Sequence, residues 1–103
     1  MGSSSRGPTR DGRDKPDIVA PGTAIIIECS TGGYELRAGT SFSAALVSGV
    51  IALLRENTSD PQRVKKALTD TAMKIKDPYT KGDYPNNIQG HGLINAQSAY
   101  PLL

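Results

Sequence analysis

The residues best placed to do chemistry are Gly39-Thr40-Ser41, which stand directly before a run of apolar and small residues ending at Leu54. The run predicts a helix from about Ser41 to Glu56. A serine at that junction faces the first backbone N–H groups of the helix, which have no partner inside it, and the positive end of the helix dipole. Both features suit a hydroxyl that attacks a carbonyl and then holds the resulting oxyanion. The same pattern also fits a plainer role. Ser and Thr are favoured N-caps in any protein, so Thr40 or Ser41 capping the helix is the commoner reading of the pattern taken alone.

Other reactive side chains are sparse. His91 is the only histidine and lies between two glycines in Gly90-His91-Gly92. Cys29 is the only cysteine; it cannot form an internal disulfide and reads as a small packing residue. Asp77, Asp83, Asn86 and Asn87 carry oxygens of the kind calcium takes, but their spacing matches no dedicated loop, so turn formation is the reading they favour.

The elements that must position these groups follow from local signals. Residues 1–16 read as loop, with the turn dipeptide Asp11-Gly12. Asp17-Ile18-Val19-Ala20 is a short strand candidate stopped by Pro21-Gly22, and Ala24–Cys29, with three consecutive isoleucines, reads as a buried strand. Ser30-Thr31-Gly32-Gly33 is a turn, and Tyr34-Glu35-Leu36 returns as a hairpin arm. The helix after Ser41 is apolar nearly all round and therefore calls for burial on every side. Ser43, Ser48 and Gly49 are small enough to let other backbones come close. Asp60 is an N-cap for a second helix with Pro61 at its first position, and Val64, Ala67, Leu68 and Ala72 form its apolar stripe up to about Met73. A polar loop spans residues 74–90, and Asn95 caps a last short helix through Tyr100.

Composition limits the rest. At 103 residues with few aromatics and no Trp, the chain is one small domain at most and its own core is modest. A net charge of +2 argues against a nucleic-acid or anionic-membrane partner, and Arg63, Lys65 and Lys66 read as a solvated face. The longest apolar run is broken by Ser48-Gly49 and is too short to span a bilayer. No export signal is read at Met1-Gly2-Ser3-Ser4-Ser5.

Gly39-Thr40-Ser41, followed after two positions by Ala44 and later by Val47-Ser48-Gly49, resembles the nucleophile signature of subtilisin-like serine proteases. Three further segments resemble that family in the same order: Ser4-Ser5-Arg6-Gly7-Pro8, Lys15–Gly22 and Gly90–Ala96. Two positions depart from it, Ala45 where proline is usual and Leu46 where histidine is frequent. The resemblance implies an α/β fold: the C-terminal portion of a three-layer domain with a parallel central sheet, here a few short strands, two main helices and a short terminal helix. It implies that residues 1–103 form a single partial domain and that Ser41 is both nucleophile and backbone oxyanion donor.

The family orders its triad Asp, His, Ser. This chain holds neither an Asp-Ser-Gly or Asp-Thr-Gly segment nor a His-Gly-Thr segment, and His91 lies downstream of Ser41, away from the place of the catalytic histidine. The expectation is therefore a serine endopeptidase when the rest of the domain is present and an inactive fragment without it. The implied partners are a peptide or protein substrate and the remaining N-terminal part of the domain. The resemblance assigns this chain no cofactor and no metal ligand, allows calcium in the parent domain, places Asp17 near a weak cation site of some relatives, and favours a secreted location. The hairpin around Ser30–Leu36 and the segment Asp17–Gly22 are expected to converge on Ser41. Two other readings stay open: a degenerate, non-catalytic relative used for binding or regulation, and a small helical interaction module.

Overall fold

The computed structural model describes residues 3–76 and 82–103. Residues 77–81 of the expected polar loop, and with them Asp77 as a candidate ligand, lie outside the described residues.

Strands β1 (Ile25–Glu28) and β2 (Tyr34–Arg37) form an antiparallel hairpin in which Ile26 faces Leu36 and Glu28 faces Tyr34. Its turn is closed by Cys29 N donating to the Gly33 carbonyl at 2.9 Å and Gly32 N to the Cys29 carbonyl at 3.1 Å. The isoleucine run is not buried as a whole. Ile25 and Ile27 are half-buried while Ile26 is 69% exposed, because successive strand side chains point to opposite faces and only one face meets protein here.

Helix α1 spans Thr40–Leu54 and α2 spans Pro61–Thr71. Asp60 caps α2, its Oδ1 accepting from Gln62 N at 3.0 Å, and Pro61 takes the first position, where no N–H is needed. The stripe Val64, Ala67 and Leu68 is buried; the helix stops at Thr71, so Met73 leaves the stripe and is exposed. Helix α3 is the short turn Ala96–Ala99, capped by Asn95 Oδ1 accepting from Ser98 N at 3.1 Å, and it runs into a 3-10 turn at Tyr100–Leu102.

The core lies where the end of α1 meets α2 and α3. Leu54, Val64, Ala67, Leu68 and Ala99 form it, with Ile18, Val50, Ile51, Ile94 and Leu103 packed around it. Helix α1 departs from the expected all-round burial: Leu54 is its only buried residue, and Ala44, Ala45, Leu46, Ala52 and Leu53 are exposed. A helix with several apolar faces needs a layer against each, and the described residues supply one.

Asp17–Ala20 does not form a full strand. It joins the rest by a single parallel bridge between Val19 and Leu93, with Val19 N donating to the Gly92 carbonyl and Ile94 N to the Val19 carbonyl, both at 2.9 Å. Leu93 is bridged on its other side to Met73 through two 2.7 Å bonds. These three stretches form a small bridged layer, and Ile18 and Ile94, next to the bridged residues, pack against the helical core.

Candidate active site

The turn carrying Ser41 is built from a backbone shape that only glycine takes easily. Gly39 stands at the cap position of α1 with φ 151° and ψ 152°, and no side chain caps the helix. Phe42 N donates to the Gly39 carbonyl at 3.1 Å, closing the first turn. Thr40 and Ser41 are therefore the first two helical residues, and neither is the N-cap. The capping reading fails because the chain turns one residue earlier than that reading needs.

This leaves the Ser41 side chain exposed, with no hydrogen bond to another described residue. Its own N–H is among those at the helix start that lack an intrahelical partner. A hydroxyl and an N–H directed outward from the positive end of a helix can bind a carbonyl oxygen and stabilise negative charge on it.

Ala45, where the family usually has proline, lies in the second turn of α1. There an N–H bonds back to the carbonyl four residues earlier, which is that of Ser41. Alanine supplies this bond and proline cannot.

Asp17–Gly22 reaches the turn directly: Gly39 N donates to the Gly22 carbonyl at 2.8 Å, and Ser43 Oγ donates to the Pro21 carbonyl at 3.2 Å. Gly22 is buried against both partners; a Cβ there would run into Ser43 Oγ and lie 2.9 Å from the Gly39 carbonyl oxygen. The hairpin meets the turn through the chain itself, since β2 ends at Arg37, two residues before Gly39. Of the three small residues expected to admit a neighbouring backbone, Ser43 does so, whereas a side chain at Gly49 would meet open space. Patterning singled out Ser43 for its small size and not for its hydroxyl, whose bond to the Pro21 carbonyl is the site feature the sequence reading missed.

His91 does not join Ser41. Its N–H donates to the Asp17 carbonyl at 2.8 Å, placing it beside the Val19–Leu93 bridge. Asp17 itself is engaged by ammonium groups. Lys15 Nζ donates to both carboxylate oxygens, at 2.9 and 2.8 Å, and Lys65 Nζ lies 3.8 Å from one of them. The hydrogen bond from Lys15 holds the Asp17 carboxyl below its ordinary range against the opposing effect of partial burial, with the charges of Lys15, Lys65 and His91 adding to it. Asn86 Oδ1 accepts from Ile88 N at 3.0 Å and Gln89 N at 2.9 Å within its own turn. Among the described residues no three His, Cys, Asp or Glu side chains gather in a way that would hold a metal ion.

Hollows lined by described residues border α1, among them these two. One, of about 460 Å³, lies between its first turns and Pro16–Ala20 and is lined by Thr40, Ser43, Ala44 and Val47. The other, of about 310 Å³, lies between α1 and α2, lined by Ile18, Ile51, Val64 and Leu68. Among the described residues no helix is long and apolar enough to cross a membrane.

Residues 1–92 match the family model described as the subtilase family. Pyrolysin of Pyrococcus furiosus is 39% identical over 97% of this chain, and the subtilisin-like protease SBT3.16 of Arabidopsis thaliana is 38% identical over 79%. The chain spans 8% and 12% of the lengths of those two proteins. The solved structure of the Clostridium perfringens CspB protease superposes on 94% of this chain with a TM-score of 0.76 at 34% identity, and the match takes up 22% of that protein. The α/β architecture, with its hairpin, two main helices and short terminal helix, is accordingly that of part of a subtilisin-like domain, and the chain belongs to the subtilase family.

Proposed function

We propose that this chain is the nucleophile-bearing part of a serine endopeptidase and that Ser41 is its nucleophile. The observation that carries this reading is the exposed, uncommitted Ser41 hydroxyl at the start of α1, beside backbone N–H groups that have no helical partner. Ser41 Oγ attacks the scissile carbonyl of a peptide or protein substrate and passes its proton to an imidazole. The Ser41 N–H then helps hold the oxyanion. The imidazole and its aspartate come from the remaining N-terminal part of the domain, since among the described residues no hydrogen bond joins His91 to Ser41 and the His91 backbone N–H donates to the Asp17 carbonyl. That same part covers the exposed apolar residues of α1 and fills the hollows beside it. Family membership supports a secreted location for the whole protein.

This chain holds no cofactor in this reading, and any calcium belongs to the rest of the domain. Asp17 does not fit a cation, because Lys15 Nζ already contacts both of its oxygens.

Labelling with a fluorophosphonate tests the assignment. The full-length protein is expected to label at Ser41, Ser41→Ala to lose the label, and residues 1–103 alone to label negligibly, having no base. Labelling of the full-length Ser41→Ala variant at another serine would remove Ser41 from the role. A second reading, a non-catalytic relative used for binding, is favoured by Ala45 and Leu46 standing where proline and histidine are usual. It predicts a full-length protein that keeps its fold and does not label.

A further inference from the structure

The start of α1 lacks two sources of order. Its cap residue Gly39 has no side chain, and position 45, in the second turn, has no ring to restrict the backbone. What meets the turn is the Pro21–Gly22 segment. The residue two before Ser41 donates to the Gly22 carbonyl, and the residue two after it donates to the Pro21 carbonyl. Ser41 is thus bracketed by bonds to two consecutive carbonyls of one segment. The absence of a side chain at Gly22 lets the three parts close together.

The bond from Ser43 is unusual in its direction. A serine inside a helix commonly turns its hydroxyl back to the carbonyl one turn earlier in the same helix. Ser43 instead reaches a carbonyl 22 residues away in sequence. A tether of that kind fixes how α1 is rotated against its neighbour, and the rotation of the first turn decides where Ser41 Oγ and N–H point.

We infer that Ser43 is a positioning residue for Ser41, its hydroxyl locking the start of α1 onto Pro21–Gly22. The inference rests on the nucleophile reading above. Small displacements of a reacting group carry large kinetic costs, so the loss of the tether acts on the rate of reaction more than on ligand capture.

The test compares the full-length protein with its Ser43→Ala and Ser43→Thr variants. Two quantities are measured: the saturation kinetics of fluorophosphonate labelling and the hydrogen exchange of the Gly39 amide. Alanine suits a helix at least as well as serine, so Ser43→Ala is expected to fold. Its maximal labelling rate is expected to fall about tenfold at an unchanged half-saturating probe concentration, with Gly39 exchanging faster. Ser43→Thr, which keeps the hydroxyl, is expected to restore both. An unchanged rate and unchanged Gly39 exchange in Ser43→Ala would overturn the inference, as would equal losses in both variants. Failure of the nucleophile reading shows separately, as labelling that survives in Ser41→Ala, and Gly39 exchange then decides the tether independently.

Discussion

Lys15 Nζ grips both carboxylate oxygens of Asp17, at 2.9 and 2.8 Å, so this carboxylate carries its own counter-ion within the chain. Because its folded-state pKa lies below the unfolded one, the pair stabilises the fold above the unfolded carboxylate range and loses that contribution as pH falls through the folded value. The Asp17 side chain is 40% exposed, so solvent screening limits the effect to about 0.2–1 kcal/mol. Urea unfolding of Lys15→Met should show that loss at pH 7 and a shrinking difference from wild type as Asp17 protonates. Added calcium should leave the wild-type midpoint unchanged if Asp17 is its only candidate site, and a calcium-dependent rise that Lys15→Met enlarges would mean the lysine competes with a cation.

Gly39→Ala tests the turn. A Cβ at φ 151° and ψ 152° places the residue in a region kept for glycine, at a cost of about 1–3 kcal/mol. The substitution should lower the unfolding midpoint and slow fluorophosphonate labelling of the full-length protein together.

Leu54 is the only buried residue of α1 and is 1% exposed. Leu54→Ala should cost about 2–5 kcal/mol by leaving a cavity between α1 and α2. Leu53→Ala, one position along and 58% exposed, should cost far less in residues 1–103 alone. Chemical denaturation of the two variants side by side gives the comparison.

Asp60→Ala removes the side chain that receives Gln62 N and should destabilise α2 by about 0.5–2 kcal/mol, while Asp60→Asn should keep most of the cap. Circular dichroism during thermal unfolding separates the two.

What was legible in the sequence was local. Asp60-Pro61 and Asn95 announce their helices because a cap is satisfied by atoms two or three residues away. The hairpin bounds follow from the glycine turn, and the family from four ordered segments. What escaped depends on distant partners. The isoleucine run cannot tell how many of its faces will be covered, so Ile26 read as buried and is exposed. The apolar α1 asked for layers that the described residues do not hold. The cap of α1 moved from a hydroxyl residue to Gly39 because Gly22, far off in sequence, holds the turn from outside. The tether from Ser43 has the same origin: no local rule specifies a bond to Pro21.

The pairing of Val19 with Leu93 gives a late segment of the chain a hold on an early one. Two residues beyond Val19 begins the Pro21–Gly22 contact with the nucleophile turn, so the Gly90–Ile94 segment acts as a latch on the ground beneath Ser41 without touching it. Cleavage before that latch, or a ligand that pulled it aside, would be felt at the serine as a loosened footing.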